Sequence, residues 1–266
     1  MSSNYSYVFD FEKHFDQYPK RQWMQNNWQQ SLYISAVYVF VIFSIKSYMR
    51  SRPAYNLRIP LMLWNMVLAV FSILGVWRTL PELIYICTEF GFKTSICNVR
   101  HFEQSQVINF WEWAFAVSKV VELGDTLFVV FRKQKLMFLH WYHHITVLVF
   151  CFFAYKEANA TARWLMTINL LVHSFMYSYF TLKAIGFNVP RPIAMMITTS
   201  QMTQMSVFLI VNATAYVLKE RNHYCQVSDN VTQFAFLLSL SYLFLFGRFF
   251  YNTYLQPKKT ISKKQN

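Results

Sequence analysis

Long apolar stretches recur along this chain, and short polar segments separate each one from the next. A helix needs about 20 apolar residues to cross a hydrocarbon core that is about 30 Å thick. The pattern therefore predicts an all-α integral membrane protein with about seven transmembrane helices. The predicted spans run roughly from Ser31 to Met49, Ile59 to Trp77, Val107 to Phe131, Phe138 to Tyr155, Trp164 to Phe187, Ile193 to Leu218 and Thr232 to Leu255.

The composition agrees with a membrane protein. Of the 266 residues, 55% are hydrophobic and only 14% are charged, which is too apolar for an ordinary soluble domain. Residues 1–30 contain no apolar run, so we expect no cleavable signal peptide before the first span. Because no internal repeat or low-complexity tract interrupts the pattern, we expect one multi-span domain over residues 1–266.

The formal net charge is +13, which on its own would favour a nucleic-acid partner. Its distribution indicates a membrane topology instead, because the loops on one side carry bases and no acid. Under the positive-inside rule this side is cytosolic, so residues 1–30 are predicted to be lumenal and the tail at residues 256–266 cytosolic. We therefore expect contact with membrane lipid and no nucleic acid. The bases on the predicted cytosolic side are Lys46, Arg50, Arg52, Arg58, Arg132, Lys133, Lys135, Lys183, Arg191, Lys258, Lys259, Lys263 and Lys264.

Short sequence signals agree with this orientation. Cys97 and Cys225 fall in predicted lumenal loops, where oxidation is permitted, and we expect them to form a disulfide. Lys263 and Lys264 form a dilysine signal for retrieval to the endoplasmic reticulum, although a solvated basic tail is the alternative interpretation. The candidate glycosylation sites, which begin at Asn4, Asn159 and Asn230, are all assigned to the lumen.

Ionisable residues occur inside the predicted third span. Each costs about 2.5 to 3.5 kcal/mol at membrane depth, so each needs a partner, a cavity or a function. Lys119, Glu122 and Thr126 share one helix face, where the lysine and the glutamate can neutralise each other. That pairing leaves Asp125 without an evident partner on its own helix.

The fourth span opens with three histidines, His140, His143 and His144, at positions i, i+3 and i+4. They cover an arc of about 100° on a helix, so we expect them to face one cavity. The polar stripes place groups from four helices in the cytosolic half of the membrane or near its midplane, which predicts one site open to the cytosol. For the glutamines, hydrogen bonding between helices is an equally good interpretation. The other stripes are Asn169, His173 and Tyr177 on the fifth span and Thr198, Gln201 and Gln204 on the sixth.

Three classes of function remain open at this point. A metal-dependent lipid oxidase needs several histidine boxes, but three of the 7 histidines here, His14, His101 and His223, lie on the predicted lumenal side. A transporter also has several spans, but it needs no arc of histidines beside acids. Acyl transfer uses a neutral imidazole as a nucleophile or as a general base. No serine or cysteine lies beside the histidines at the cytosolic end, so a histidine is the expected acyl carrier.

Four motifs on successive predicted helices resemble the signature motifs of the very-long-chain fatty acid elongases. The resemblance covers nearly the whole chain in the expected order. With Lys135 and the pair Trp141-Tyr142, the chain looks similar to the branch that extends palmitate-length saturated and monounsaturated acyl-CoAs. The motifs are Lys119-Val-Val-Glu122-Leu-Gly-Asp125-Thr126, His140-Trp-Tyr-His143-His144, Asn169-Leu-Leu-Val-His173-Ser-Phe-Met176-Tyr177 and Gln201-Met-Thr-Gln204.

The resemblance implies a fold in which the last six helices surround an acyl tunnel. It also implies the condensing step of elongation, in which an acyl-CoA and malonyl-CoA give a 3-ketoacyl-CoA, CO2 and CoA. No metal, haem or NADPH is expected for that step, and the substrates are the only small-molecule partners. Reductases and a dehydratase of the same cycle are expected partners in the endoplasmic reticulum membrane, and self-association into a homo-oligomer is left open.

Each polar residue then has an expected role. His143 is expected to carry the acyl group, and His173 to act as a base or a second anchor oriented by Asn169 and Tyr177. The other expected catalytic residues, which shape and polarise the site, are His140, His144, Glu122 and Asp125. The expected substrate-binding residues are Lys119, Arg132, Lys133, Lys135, Lys183, Gln201, Gln204 and Arg248. For the basic residues at the cytosolic mouth, contact with CoA phosphates is one interpretation, and contact with anionic lipid is the other.

Overall fold

The computed structural model describes residue 5 and residues 7–99 and 105–256. The predicted all-α class is confirmed, since these residues form helices, turns and loops and contain no strand. The first glycosylation candidate, Asn4, and the dilysine pair, Lys263 and Lys264, lie outside the described residues.

The described residues form both long and short helices. A 3-10 turn, Met49–Ser51, follows the first long helix, and a π-helical turn, Tyr251–Leu255, ends the last. The α-helices are α1 (Asp10–Lys13), α2 (Gln17–Asn27), α3 (Gln30–Tyr48), α4 (Arg58–Glu89), α5 (Gly91–Cys97), α6 (Gln106–Glu122), α7 (Asp125–Phe131), α8 (Phe138–Lys156), α9 (Ala162–Ile185), α10 (Arg191–Glu220) and α11 (Asp229–Phe250).

Among the described residues, 5 helical segments are long and apolar enough to cross a membrane, so an integral membrane fold is confirmed. The other two predicted spans correspond to α6 with α7 and to α9, which carry buried polar residues along their length. The count of seven therefore stays a prediction. The 5 segments are Gln30–Ser51, Arg58–Glu89, Phe138–Lys156, Arg191–Glu220 and Asp229–Leu255.

The prediction of one continuous helix from Val107 to Phe131 is wrong. The α-helix ends at Glu122 and a new one begins at Asp125, because the intervening amides bond to carbonyls three residues back. Gly124 lies at this break, and a Cβ atom there would lie 2.5 Å from Cζ2 of Trp64. The break therefore lets an indole from α4 approach the backbone closely.

The second predicted span, Ile59 to Trp77, is shorter than the helix that contains it. Helix α4 continues twelve residues past Trp77, to Glu89, because the polar residues that end the apolar run find ionic partners. Arg78 pairs with Glu12 at 2.6 Å, and Glu82 pairs with Arg163 at 3.3 Å. Sequence hydropathy records the charges but not the neutralising partners.

The long helices close into a ring. Helix α4 packs against α9, then α9 against α10, α10 against α11, α11 against α8, α8 against α6, and α6 against α4 again. Helix α3 lies outside and packs on α7 and α8. This arrangement is the one implied at the sequence level, in which the helices after the first span surround a common interior.

The ring has two chemically different ends. We call one the disulfide end, because Cys97 and Cys225, the predicted pair, are joined there in a disulfide. The nearby Gln226 amide also donates to the Cys97 carbonyl at 2.8 Å. We call the other the basic end, defined by Arg58, Lys133 and Arg191.

At the basic end, cationic side chains cap the carboxyl ends of helices. Arg58 Nε donates to a carbonyl in the last turn of α9 at 2.9 Å. Lys133 Nζ donates to the carbonyls of Arg50 and Arg52 at 3.2 and 2.9 Å. Arg191 Nη2 donates to the Tyr254 carbonyl at 3.1 Å. A cation at a helix carboxyl end satisfies free carbonyls and opposes the helix dipole, so these bases stabilise the fold.

The segment before the first long helix is anchored by a buried ion pair. Glu12, which is 0% exposed, accepts from Arg78 Nε and Nη2 at 2.8 and 2.6 Å and from Trp111 Nε1 at 2.8 Å. A second pair joins Arg21 on α2 to Glu112 on α6 at 3.1 Å. The polar segment before the first long helix is therefore packed onto α4 and α6.

The candidate glycosylation site at Asn159 does not fit the fold. Its side chain is buried, with the residue 2% exposed, and its Oδ1 accepts from the Thr161 amide at 3.5 Å. A glycan has no room there, and the three-residue sequon pattern could not register this burial. Asn230 is exposed at the start of α11, so its glycosylation stays a prediction.

Candidate active site

Within the ring lies a mostly apolar cavity of about 50 Å³. Five of the six ring helices line it, and α4 does not. Apolar side chains such as Val147, Phe150 and Phe208 make most of the wall, and Cys151 lies among them. The polar lining consists of His143, Asn169, Gln204, Ser239 and Tyr242. A lining of this kind suits an apolar chain that carries one polar, reacting end.

Beside the cavity, a buried ionic cluster joins α6 to α9. Lys119 Nζ lies 2.7 Å from Glu122 Oε1 and donates to Asn169 Oδ1 at 3.1 Å. Ser118 Oγ donates to the same glutamate oxygen at 3.0 Å, and His173 Nδ1 lies 3.8 Å from Glu122 Oε2. The expected Lys119–Glu122 neutralisation is present. Because Lys119 is 1% exposed, it lies in this cluster and not at a solvent-facing mouth.

Asp125 finds its partners on other helices. Trp64 Nε1, from α4, donates to Asp125 Oδ1 at 2.6 Å. The Tyr177 hydroxyl, from α9, donates to Asp125 Oδ2 at 2.9 Å. One turn back along α9, the His173 ring packs edge-on against the Tyr177 ring at 5.4 Å between centroids. Asn169 Nδ2 lies 3.3 Å from His173 Nε2, so the predicted α9 stripe forms a connected row.

The three histidines of α8 do not all face the cavity, which corrects the sequence expectation. His143 lines it, with its ring 4.7 Å from that of Tyr242. His140 instead points toward α7, where its Nε2 lies 2.9 Å from Thr126 Oγ1. His144 is buried, with its ring 4.6 Å from that of His140 and 6.0 Å from that of His143. Positions three residues apart differ by about 60° around a helix, so His140 and His143 can meet different neighbours.

His143 is the group best placed for chemistry on a ligand in the cavity. Its Nδ1 is buried and has no hydrogen-bond partner within the part of the chain that the structure describes. An imidazole nitrogen without a protein partner can act as a nucleophile or a base. Among the residues that the structure describes, no three His, Cys, Asp or Glu side chains are grouped to hold a metal ion.

The two glutamines of α10 have different surroundings. Gln204 is 3% exposed and lines the cavity. Gln201 Nε2 instead lies 3.4 Å from Met176 Sδ on α9. For Gln201 this contact agrees with the alternative interpretation, in which the glutamines form hydrogen bonds between helices.

The predicted phosphate-binding bases lie at the basic end, but they are not equivalent. Lys135, Lys183 and Arg248 are exposed, and Arg132 is half-buried. Lys183 Nζ lies 3.4 Å from the Tyr179 hydroxyl. Lys133 is different, since its ammonium is engaged by two backbone carbonyls. We therefore assign Lys133 to capping rather than to substrate binding.

Two aromatic residues of the site were missed at the sequence level. Trp64 lies on α4, 61 residues before the aspartate that it contacts, and Tyr242 lies on α11, 99 residues after His143. Both occur in apolar stretches where aromatic residues are ordinary. No spacing rule connects positions so distant in sequence, so only the fold reveals these contacts.

Known proteins resemble the chain along almost its whole length. Residues 23–262 match the family described as ELO, the GNS1/SUR4 family. The protein is 45% identical over 259 residues to "Very long chain fatty acid elongase 6" of Drosophila melanogaster, which covers 97% of this chain and 82% of that one. The human protein of the same name is 43% identical over 257 residues, covering 97% and 96%. Human "Very long chain fatty acid elongase 3" is 39% identical over 246 residues, covering 92% and 90%.

Proposed function

The chain belongs to the GNS1/SUR4 family and takes part in fatty acid elongation, and we propose that it catalyses the condensing step. As a 3-ketoacyl-CoA synthase, it would join a long-chain acyl-CoA to malonyl-CoA and release CO2 and CoA. The observation that carries this proposal is the position of His143 on the wall of an apolar cavity inside the helical ring. Family membership favours this function over the lipid oxidase and transporter alternatives.

The proposed reaction has two steps. In the first, an imidazole nitrogen of His143 attacks the thioester carbonyl of acyl-CoA. A nitrogen–carbon bond forms, the carbon–sulfur bond breaks, and CoA leaves as a thiolate. In the second, malonyl-CoA loses CO2, and the carbanion left at its C2 attacks the acyl-imidazole. A carbon–carbon bond forms, the nitrogen–carbon bond breaks, and His143 is regenerated.

The neighbouring residues support this assignment. Asn169 lines the cavity with His143 and touches His173, so His173 is close enough to assist as a base or a second anchor. Glu122 and Asp125 hold these partners through Lys119 and Tyr177. His140 and His144 pack behind His143 and are proposed to fix its orientation. The step draws on no metal or redox cofactor in this proposal.

A direct assay tests the function. Purified protein in detergent, supplied with malonyl-CoA and acyl-CoAs of graded length, should form a 3-ketoacyl-CoA two carbons longer and release one CO2 per product. CO2 release should depend on acyl-CoA, and a reaction without acyl-CoA is the control. Malonyl-CoA that remains unconsumed, or an acyl-CoA that is desaturated or hydroxylated instead, would refute the proposal.

We propose that CoA phosphates bind at the basic end, near the loop that precedes the histidines. Changing Lys135 and Arg248 to glutamine should raise the KM of both CoA substrates by about two- to fivefold for each residue, because exposed ionic contacts contribute up to about 1 kcal/mol. The amount and the melting temperature of the protein should stay unchanged.

The matched control is Lys133→Gln. Because Lys133 caps backbone carbonyls, this change should lower the melting temperature and leave both KM values unchanged. Steady-state kinetics and thermal unfolding of the three variants separate the two roles. If Lys133→Gln alone raises KM, the phosphate site includes Lys133, and capping is not its only role.

We further propose that the protein resides in the endoplasmic reticulum membrane, with the amino terminus in the lumen and the carboxyl terminus in the cytosol. The disulfide and the acid-free basic loops lie at opposite ends of the ring. This separation supports the orientation, because disulfides need an oxidising compartment and basic loops favour the cytosol. Reductases and a dehydratase that process the product are the proposed partners, with self-association left open.

A further inference from the structure

We infer that Trp64 is a positioning residue for the condensing reaction, acting through Asp125 and Tyr177 on His173. The inference rests on the proposed function and adds a residue from α4, the ring helix that does not line the cavity. Its basis is a row of contacts that starts at the Trp64 indole and ends at the His173 ring.

One carboxylate joins three helices in this row. Asp125 begins α7, and its two oxygens accept from two different elements, Trp64 Nε1 of α4 at 2.6 Å and the Tyr177 hydroxyl of α9 at 2.9 Å. A carboxylate that accepts a hydrogen bond on each oxygen is held in one plane. The position of the Tyr177 hydroxyl therefore depends on the donor at the opposite oxygen.

The backbone around Asp125 is shaped to admit the indole. A Cβ atom on Gly124 would lie 2.5 Å from Cζ2 and 2.8 Å from Cη2 of Trp64, closer than side chains pack. The indole thus covers the break between α6 and α7, and it also packs against Phe128, with 5.8 Å between ring centroids. Glycine at this position keeps the indole within hydrogen-bonding distance of Asp125.

Packing alone does not fix the indole. Trp64 also lines a second, apolar pocket of about 360 Å³ near the basic end, together with Tyr55, Leu57 and Phe131. Because there is space on one side of the ring, the bond from Nε1 to Asp125 acts together with the contacts to Gly124 and Phe128 in setting its orientation. The same space lets a smaller aromatic ring occupy the position without a clash.

The row ends at His173. Tyr177 is 2% exposed, so its ring has no room to turn independently, and it packs edge-on against the imidazole of His173. Asn169 and Glu122 hold the other sides of that imidazole. Loss of the indole donor would leave a carboxylate oxygen unsatisfied, and the rearrangement that satisfies it would move Tyr177 away from His173.

The test uses Trp64→Phe in the full-length protein, which keeps an aromatic ring and removes the donor. We expect kcat to fall about 10- to 100-fold, as for a small displacement of a reacting group, with the KM of both CoA substrates within about twofold of wild type. The matched control is Trp77→Phe on the same helix, at a residue that is 55% exposed, and its kinetics should match those of wild type. If Trp64→Phe does not fold, Gly124→Ala replaces it in the test. The added methyl group pushes the indole away from Asp125, so kcat should fall to the same extent.

A double-mutant cycle makes the assignment specific. If Trp64 acts through Tyr177, then Trp64→Phe should reduce kcat by no more than about twofold further in a Tyr177→Phe background, since coupled residues are not additive. If the two substitutions lower kcat independently, so that their effects multiply in the double variant, the proposed route is wrong. It is also wrong if Trp64→Phe keeps the kcat of wild type, whether or not its melting temperature falls.

A readout without turnover separates this inference from the proposed function. The rate at which diethyl pyrocarbonate modifies His173, followed by peptide mass spectrometry, should rise at least about threefold in Trp64→Phe and stay unchanged in Trp77→Phe. An unchanged rate in Trp64→Phe would refute the inference even if wild-type protein proved inactive in condensation. Inactive wild-type protein with the expected rise would refute the proposed function alone.

Discussion

Replacing His143 with alanine should abolish condensation, with kcat falling on the order of 10³-fold or more. The reason is that the imidazole which would carry the acyl group is the group on the cavity wall with a buried, unpartnered nitrogen. Wild-type protein incubated with acyl-CoA alone should gain one acyl group on the peptide that contains His143. The alanine variant should gain none.

The matched control for acyl trapping is Cys151→Ala. Cys151 lies on the same cavity wall, two turns along α8, and its thiol is a second candidate nucleophile there. The control variant should still be labelled at His143 and should keep condensing activity. Intact-protein and peptide mass spectrometry read out both results, and thermal unfolding checks that each variant is folded. Label confined to Cys151 in wild-type protein would reject the histidine intermediate.

The second large effect concerns stability, where Arg78→Met should destabilise the protein by about 3 to 5 kcal/mol. The change leaves the Glu12 carboxylate buried at 0% exposure without its ionic partner. Adding Glu12→Gln removes the uncompensated charge and should recover most of the loss. Chemical or thermal unfolding in detergent measures both variants.

An exposed ion pair provides the control for this prediction. Lys219 and Asp229 lie 2.6 Å apart, but their side chains are 34% and 56% exposed. Lys219→Met should therefore cost no more than about 1 kcal/mol. If Arg78→Met costs as little as Lys219→Met, the segment before α3 is not anchored by the buried pair.

Local periodicity accounts for what the sequence could predict. Residues three or four apart on one helix face keep that relation in any fold that contains the helix, so the Lys119–Glu122 pair and the α9 row of Asn169, His173 and Tyr177 follow from spacing alone. Hydropathy likewise located most of the apolar helices, because a hydrocarbon core imposes a minimum length.

Contacts between distant segments could not be predicted in the same way. The Trp64–Asp125 and Glu12–Arg78 bonds join residues 61 and 66 positions apart, and neither pair lies on a common helix. The same limitation applies to the capping contacts of Lys133 and to the burial of the sequon at Asn159. A charge or a three-residue pattern specifies chemistry, but its surroundings depend on packing.

The disulfide between Cys97 and Cys225 has a consequence for how the ring moves. At that end, a covalent bond across 128 residues and the ion pair of Glu82 with Arg163 hold the helices together. At the opposite end, Arg58, Lys133 and Arg191 join the elements through hydrogen bonds to carbonyls, which break and re-form far more easily. The helices are therefore held most firmly at the disulfide end, and we expect any separation of the ring to begin at the basic end.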